Sequence, residues 1–337
     1  MALEENLKLS YDTFNRRIDY LRISITDRCN LRCVYCMPEQ GVQPCAHEDV
    51  LRYEEIERIV RSAVSLGIRK IRLTGGEPLV RRGVVDLVRT LAHIPGVEDL
   101  SMTTNGILLA RYAGPLAEAG LHRVNISLDT LRPERFRAIT RWGNLDDLLA
   151  GIDAAFAAGL EPVKINTVVM RGQNEDELVD LARQAAAAGW HLRFIEWMPV
   201  GDAAQHQNWH DHLVTAPEIR ALIETALGAL EPASVARGAG PARIYRLPGS
   251  RGTLGFISAV SQHFCATCNR LRLTADGKLR PCLLASDELD LRTPLRQGVS
   301  EAQLAALLEQ AIRAKPGRHH LADHAEVSDR AMAQIGG

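Results

Sequence analysis

Seven cysteines stand at positions 29, 33, 36, 45, 265, 268 and 282, and six of them fall into two groups of three. The first group, Cys29-Asn-Leu-Arg-Cys33-Val-Tyr-Cys36, puts three thiols within eight residues. Three thiolates at that spacing can reach three irons of one cubane iron–sulfur cluster. The loop supplies no fourth ligand, so one iron would stay open to a small molecule. A structural zinc normally recruits four ligands, and a zinc loop completed by a distant histidine is the competing reading. The second group is Cys265-Ala-Thr-Cys268, then thirteen residues, then Cys282. Two alternating runs around Asp276-Gly277 read as a β-hairpin that folds Cys282 back beside Cys268. Three thiolates again converge without a fourth. The same alternation places Arg270 and Arg272 on one face and Leu271 and Leu273 on the other. Two guanidinium groups beside an open metal position suit a phosphorylated substrate, because arginine pairs bidentately with phosphate oxygens. A zinc-stapled hairpin and a solvated basic strand face are the alternatives. Cys45 reads as an incidental small side chain, and the odd cysteine count resists a closed disulfide set.

These residues need elements to hold them. Short apolar or β-branched runs at Tyr20–Thr26, Lys70–Thr74, Asp99–Thr103, His122–Ser127, Val163–Val169 and His191–Glu196 read as strands. Helical patterns alternate with them. Ile56, Ile59, Val60 and Ala63 share a face before a stop at Gly67, and Val84–Ile94, Leu108–Ala119, Leu145–Ala158, Glu175–Ala188 and Pro217–Leu230 follow. Asn174 with Glu177 reads as a capping box. Six strand–helix units predict an α/β protein, a partial (βα)6 TIM-like barrel. After Leu230 the chain changes to Gly/Pro-rich loops and hairpin-like runs at Arg243–Leu247, Thr253–Ile257, Arg270–Thr274 and Lys278–Arg280. That segment is expected to cover the barrel's open side, giving a first domain over 1–230 and a C-terminal segment over 231–337.

In barrels of this kind the reactive end is the C-terminal rim of the strands. Unusual residues gather there: Thr74-Gly75-Gly76-Glu77-Pro78, Thr103-Thr104-Asn105-Gly106, Ser127-Leu128-Asp129-Thr130 and Glu196-Trp197-Met198-Pro199. Each alone reads as a plain turn, but together they outline one site. Glycine pairs let a backbone approach a ligand closely. Composition adds exclusions. Forty Lys and Arg against forty-one Asp and Glu give a net charge of −1, which speaks against a broad nucleic-acid-binding face. No run of 18 apolar residues offers a membrane span, and Met1–Tyr20 has no apolar leader core, so a cytoplasmic location is expected. His206, His210 and His212 crowd one loop beside Trp209 and Asp211 and read as solvated.

The Cys29-x-x-x-Cys33-x-x-Cys36 loop, with Tyr35 before the last cysteine, resembles the radical S-adenosylmethionine (SAM) enzymes. The resemblance implies a [4Fe–4S] cluster on Cys29, Cys33 and Cys36 whose open iron chelates SAM. Cleavage of SAM then yields methionine and a 5′-deoxyadenosyl radical, the cofactor doing the hard chemistry. Gly75-Gly76-Glu77-Pro78 is similar to the family's GGEP motif, which holds the methionine amino group. By the same resemblance Tyr35, Gly76, Ser127 and Met198 contact SAM, with Asn166 a weaker candidate.

The two triads with the interleaved arginines, and the Gly336-Gly337 end, resemble one branch over essentially the whole chain, the GTP 3′,8-cyclases that begin molybdenum cofactor biosynthesis. That implies a second [4Fe–4S] cluster on Cys265, Cys268 and Cys282, whose open iron binds the guanine of GTP. Arg22, Arg72, Thr103, Lys164, Arg270, Leu271 and Arg272 would hold the nucleotide. The family reaction takes hydrogen from ribose C3′, joins C3′ to guanine C8 and reduces the result to 3′,8-cyclo-7,8-dihydro-GTP. A flavodoxin or ferredoxin as electron donor, a cyclic pyranopterin monophosphate synthase as recipient of the product, and a monomer or homodimer are the partners implied. Two rivals remain: a radical SAM peptide-modifying enzyme with an auxiliary cluster, and a non-catalytic zinc-stabilised binding protein.

Overall fold

The computed structural model describes residues 10–200, 209–234, 240–319, 321 and 330–336. His206 and Gly337 lie outside them. The six expected strands form at nearly the expected places: β1 (Tyr20–Ser24), β2 (Lys70–Thr74), β3 (Asp99–Thr104), β4 (Arg123–Ser127), β5 (Lys164–Val169) and β6 (His191–Glu196). They pair in sequence order and in parallel. Around them lie α1 (Tyr53–Ser65), α2 (Val84–Ala92), α3 (Leu109–Glu118), α4 (Pro133–Thr140), α5 (Leu145–Ala157), α6 (Leu178–Ala188) and α7 (Ala216–Leu227). The barrel strands bury aliphatic residues such as Ile71, Leu73, Val124, Ile126 and Ile165 completely, in one core with the inner faces of the helices. Gly67 ends the first helical unit at a φ of +90°, the left-handed conformation that favours glycine.

The C-terminal segment adds β7 (Glu231–Pro232), β8 (Arg243–Arg246), β9 (Thr253–Ile257), β10 (Arg270–Leu273), β11 (Lys278–Arg280) and β12 (Leu289–Asp290), then α8 (Arg292–Arg296) and α9 (Glu301–Arg313). The hairpin at Asp276-Gly277 forms, β10 running antiparallel to β11 and Gly277 sitting at a φ of +82°. Two pairings go beyond hairpins. β10 pairs in parallel with β1, and β9 in parallel with β6. The segment therefore extends both edges of the six-stranded barrel within one continuous twelve-stranded sheet. Among the described residues no hydrogen bonds close the ring. Among the described residues no helix is long and apolar enough to cross a membrane.

Two local expectations need correction. α4 was not foreseen, because Pro133–Thr140 is short and mostly polar on its outer face. The capping box at Asn174 and Glu177 does not form: Glu175–Glu177 is a 3-10 turn and the Asn174 side chain makes no cap bond. Asn174 Oδ1 instead accepts from Met170 N, and its Nδ2 donates to the carbonyls of Asp129 and Val168. Glu177 accepts from Thr130 Oγ1 and Leu131 N. Both side chains thus tie neighbouring rim loops together.

Candidate active site

The cysteine loop leaves β1 at Thr26 and folds back over the rim. Arg32 N donates to Thr140 O and Val34 N to Ile139 O, both at 3.0 Å, so the end of α4 props the loop from outside. Arg141, just past α4, adopts a left-handed φ of +65° and donates from Nη1 to Arg32 O and Met37 O. From inside, Gly76 N donates to Thr26 O at 2.7 Å and Glu77 N to Arg28 O at 2.9 Å. A Cβ on Gly75 would sit 2.6 Å from Thr26 O, and one on Gly76 would sit 2.5 Å from Arg28 O. The close approach that demands the glycine pair is therefore to the cysteine loop's own backbone. Glu77 is wholly buried and accepts from Leu79 N, Thr104 Oγ1 and Asn105 N. Burial raises it to about 7 against those three donors.

The thiols of this loop face a shared, dry space. Burial raises Cys29 to about 11 and Cys36 to about 12, and pushes Cys33 well up, with the neighbouring thiols adding to the rise in the last two. Three such thiolates repel one another unless cationic iron sits among them, which is the donor set a cubane needs. Among the described residues no three His, Cys, Asp or Glu side chains converge on a single-ion site. The Ala333 amide donates to the Cys36 sulfur, and Ala331 and Ala333 pack with Met37 over the loop.

From this loop a cavity runs into the barrel. Tyr35, Gly76, Ser127, Asn166 and Met198 line it on the side of the first triad. Tyr35 Oη donates to Asp129 Oδ2 at 2.7 Å, orienting the ring. Arg22, Arg72, Thr103, Lys164, Arg270 and Arg272 line the remainder. Sheet register explains their gathering. Arg22 pairs with Arg272 on one side and with Arg72 on the other, so three guanidinium groups lie abreast on β10, β1 and β2. Thr103, Asn125 and Lys164 form a second row. Leu271 is the exception: its side chain is fully buried in the core and does not reach the cavity.

The cavity is strongly cationic. Burial lowers Lys164 to about 6, with Arg123, Arg193 and Arg72 adding repulsion. Burial and neighbouring arginines lower Arg193 to about 9, and burial followed by Arg270 lowers Arg272 to about 10. Such charges are costly to bury without a counter-ion. Thr103 Oγ1, Asn166 Oδ1 and Arg193 Nε have no hydrogen-bond partner among the described residues. A bound polyanion with hydroxyl groups would answer both deficits. Arg193, Asn125 and Tyr20 line the same cavity and were missed by the motif reading. The available signal was a lone arginine two residues from His191 and from Ile195 on an otherwise buried strand.

The second triad borders the cavity through its neighbours Phe264, Arg270 and Leu283. Cys265, Cys268 and Cys282 lie close enough to influence one another electrostatically. Cys268 differs from the thiols of the first loop. Burial pushes it up, but Arg270, Lys315 and hydrogen bonds more than offset this and leave it near 7. Cys45 lies apart from both triads, its amide donating to Asp27 Oδ2. His210 stacks on Trp209 with centroids 3.6 Å apart, and His212 is exposed at an edge of Trp197. Gly336 reaches the site: Arg272 Nη1 donates to its carbonyl at 2.8 Å.

Comparison with known proteins agrees with this picture. Residues 23–185 match the Radical SAM superfamily, and residues 190–321 match Molybdenum Cofactor Synthesis C. A GTP 3′,8-cyclase of Heliobacterium modesticaldum is 54% identical over 97% of this chain and 99% of its own. One from Moorella thermoacetica is 55% identical with the same coverage. Among solved structures, SuiB of Streptococcus suis bound to S-adenosylmethionine superposes with a TM-score of 0.58 at 14% identity. That match covers 84% of this chain but 64% of SuiB, and at this identity it speaks for the fold alone. With relatives at this level along nearly its whole length, the chain belongs to the GTP 3′,8-cyclase family of radical SAM enzymes.

Proposed function

We propose that this cavity cyclises GTP to 3′,8-cyclo-7,8-dihydro-GTP, the first step of molybdenum cofactor biosynthesis. The observation that carries the reading is a buried row of cations, Arg272, Arg22 and Arg72, lying between two incomplete cysteine triads. Residues 1–230 form the SAM half and residues 231–337 the second-triad half. Cys29, Cys33 and Cys36 hold the first [4Fe–4S] cluster. Tyr35, Gly76, Ser127 and Met198 seat SAM beside it. Cys265, Cys268 and Cys282 hold a second [4Fe–4S] cluster with one iron open to the guanine. When bound, the first cluster and SAM supply the radical that opens the ribose C3′–H bond. Arg22, Arg72, Lys164, Arg270 and Arg272 bind the triphosphate, and Thr103 binds the sugar end. Leu271 contributes through its backbone. Holding both ends of the nucleotide fixes C3′ and C8 at bonding distance, which is where positioning lowers a barrier most.

The alternative of a peptide substrate is disfavoured by the same row of cations, since a triphosphate matches it and an ordinary peptide does not. A flavodoxin- or ferredoxin-type donor supplies the electrons, and a cyclic pyranopterin monophosphate synthase consumes the product. The test is anaerobic incubation with GTP, SAM and a chemical reductant. Cyclised nucleotide and 5′-deoxyadenosine should appear in equal amounts. SAM cleavage without any change in GTP would overturn the assignment.

A further inference from the structure

The second triad is assembled from two stretches of chain, the Cys265–Cys268 turn and Cys282, and two buried cations outside it join them. Lys315, beyond the end of α9, is only 3% exposed. Its Nζ donates to Arg270 O at 2.8 Å and to Pro281 O at 2.7 Å, with a further hydrogen bond to the Cys268 thiol. An ammonium has three donors, and here they reach the Cys268 thiol and the backbone of Arg270 and of Pro281, the neighbour of Cys282. Arg16, at 7% exposure, works from the other side. Its Nη1 donates to Cys265 O at 2.7 Å and to Gly317 O at 3.2 Å, and its Nη2 to Pro316 O at 2.7 Å. Asp12, itself buried, accepts from Arg16 Nε at 2.6 Å and fixes the guanidinium plane. The chain 315–317 is therefore a strap: Lys315 ties it to Cys268 and Cys282, and Arg16 ties it to Cys265.

The geometry points to Lys315 and Arg16 as positioning residues that set the second triad for its cluster. Burying two cations is a poor route to stability alone, because desolvation offsets most of the gain. Beside three thiolates that lack a fourth protein ligand, the same cations hold the ligand backbones apart at a fixed span. They also donate to the cluster's surroundings, as outer partners do at metal sites. The first triad needs no such strap, its three ligands lying within eight residues of chain.

The inference rests on the proposed second cluster, and one experiment separates the two. Anaerobically reconstituted parent protein should hold about eight irons per chain, four for each cubane; if it saturates at about four, the second-cluster reading itself fails. Given about eight in the parent, Lys315→Met should fall to about four, with the low-temperature EPR signal of the first cluster in the presence of SAM unchanged. Arg16→Lys keeps the charge but loses the fork, so it should load both clusters and alter the EPR line shape of the GTP-bound second cluster. Lys315→Arg should recover part of the iron. Full iron and parental spectra in both Lys315→Met and Arg16→Lys would overturn the inference. So would loss of both clusters together in Lys315→Met, since a strap specific to the second triad leaves the first intact.

Discussion

The two cysteine triads solve one problem in opposite ways. The first is local: three ligands on one loop, with Glu77, Asp129 and Arg32 as nearby ionisable groups and every thiol pushed up by burial. The second draws Cys265 and Cys268 from one turn and Cys282 from beyond β11; burial raises Cys265, while at Cys268 Arg270 and Lys315 outweigh burial and pull it down to about 7. A local loop can be neutral or acidic because iron alone balances its thiolates and chain connectivity keeps them together. A dispersed triad needs protein cations to hold it. In the proposed reading the cations there also serve the anionic guest, and Arg270 and Arg272 belong to both tasks.

The largest effect should come from Cys29→Ser. SAM cleavage should vanish, and iron should drop to about half, about four per chain, with the second cluster's spectrum retained. Persistent cleavage would break the comparison by showing that the first loop is dispensable. Next, Arg272→Ala should weaken GTP binding by roughly ten- to a hundred-fold, the worth of one charge-assisted hydrogen bond of about 1.5–3 kcal/mol, while reductive cleavage of SAM continues. Isothermal titration under anaerobic conditions measures it, and unchanged affinity would remove Arg272 from the triphosphate site.

Glu77→Gln probes how the local loop is clamped. One of the donors now bonded to the carboxylate loses its partner, at a cost of about 1–3 kcal/mol, readable as a lower midpoint in denaturant. The change also has a pH signature. Glu77 is raised to about 7 from an ordinary 4.5, so the folded state favours its protonated form. Its contribution is complete below about 4.5 and is lost as pH rises through about 7. The parent's stability should include this fall between pH 5 and 8, and the Gln variant should lack it. The smallest effect belongs to Tyr35→Phe, which removes a single hydrogen bond to Asp129 and should cost about 0.5–1.5 kcal/mol without altering SAM affinity. A large loss of SAM binding would mean that the Tyr35 hydroxyl itself carries the contact.

What sequence spacing could reveal follows the same division. The first cysteine loop, the six barrel strands and the Asp276-Gly277 hairpin are local features, and periodicity or turn chemistry marks each one. The alternation on β10 correctly put Arg270 and Arg272 in the cavity and Leu271 and Leu273 in the core. Apart from the short polar α4, the missed parts depend on distant contacts. Nothing near Arg22 or Arg72 says that they lie abreast of Arg272, because parallel pairing of β10 with β1 joins residues some 250 positions apart. Arg193, Arg16 and Lys315 carry no motif in the chain and become informative only through burial. Asn174 and Glu177 have the right spacing for a cap, yet the Asn174 oxygen is taken by Met170 N and the Glu177 carboxylate by Thr130 and Leu131 of a neighbouring loop.

In the proposed enzyme each triad leaves one iron open to a guest. Electron–nuclear double resonance on the reduced, doubly loaded protein tests this directly, using GTP labelled with nitrogen-15 in the base and SAM labelled at its amino nitrogen. Coupling of the GTP label to the second cluster and of the SAM label to the first is expected. A second cluster that couples to no label and is ligated entirely by protein side chains would contradict it.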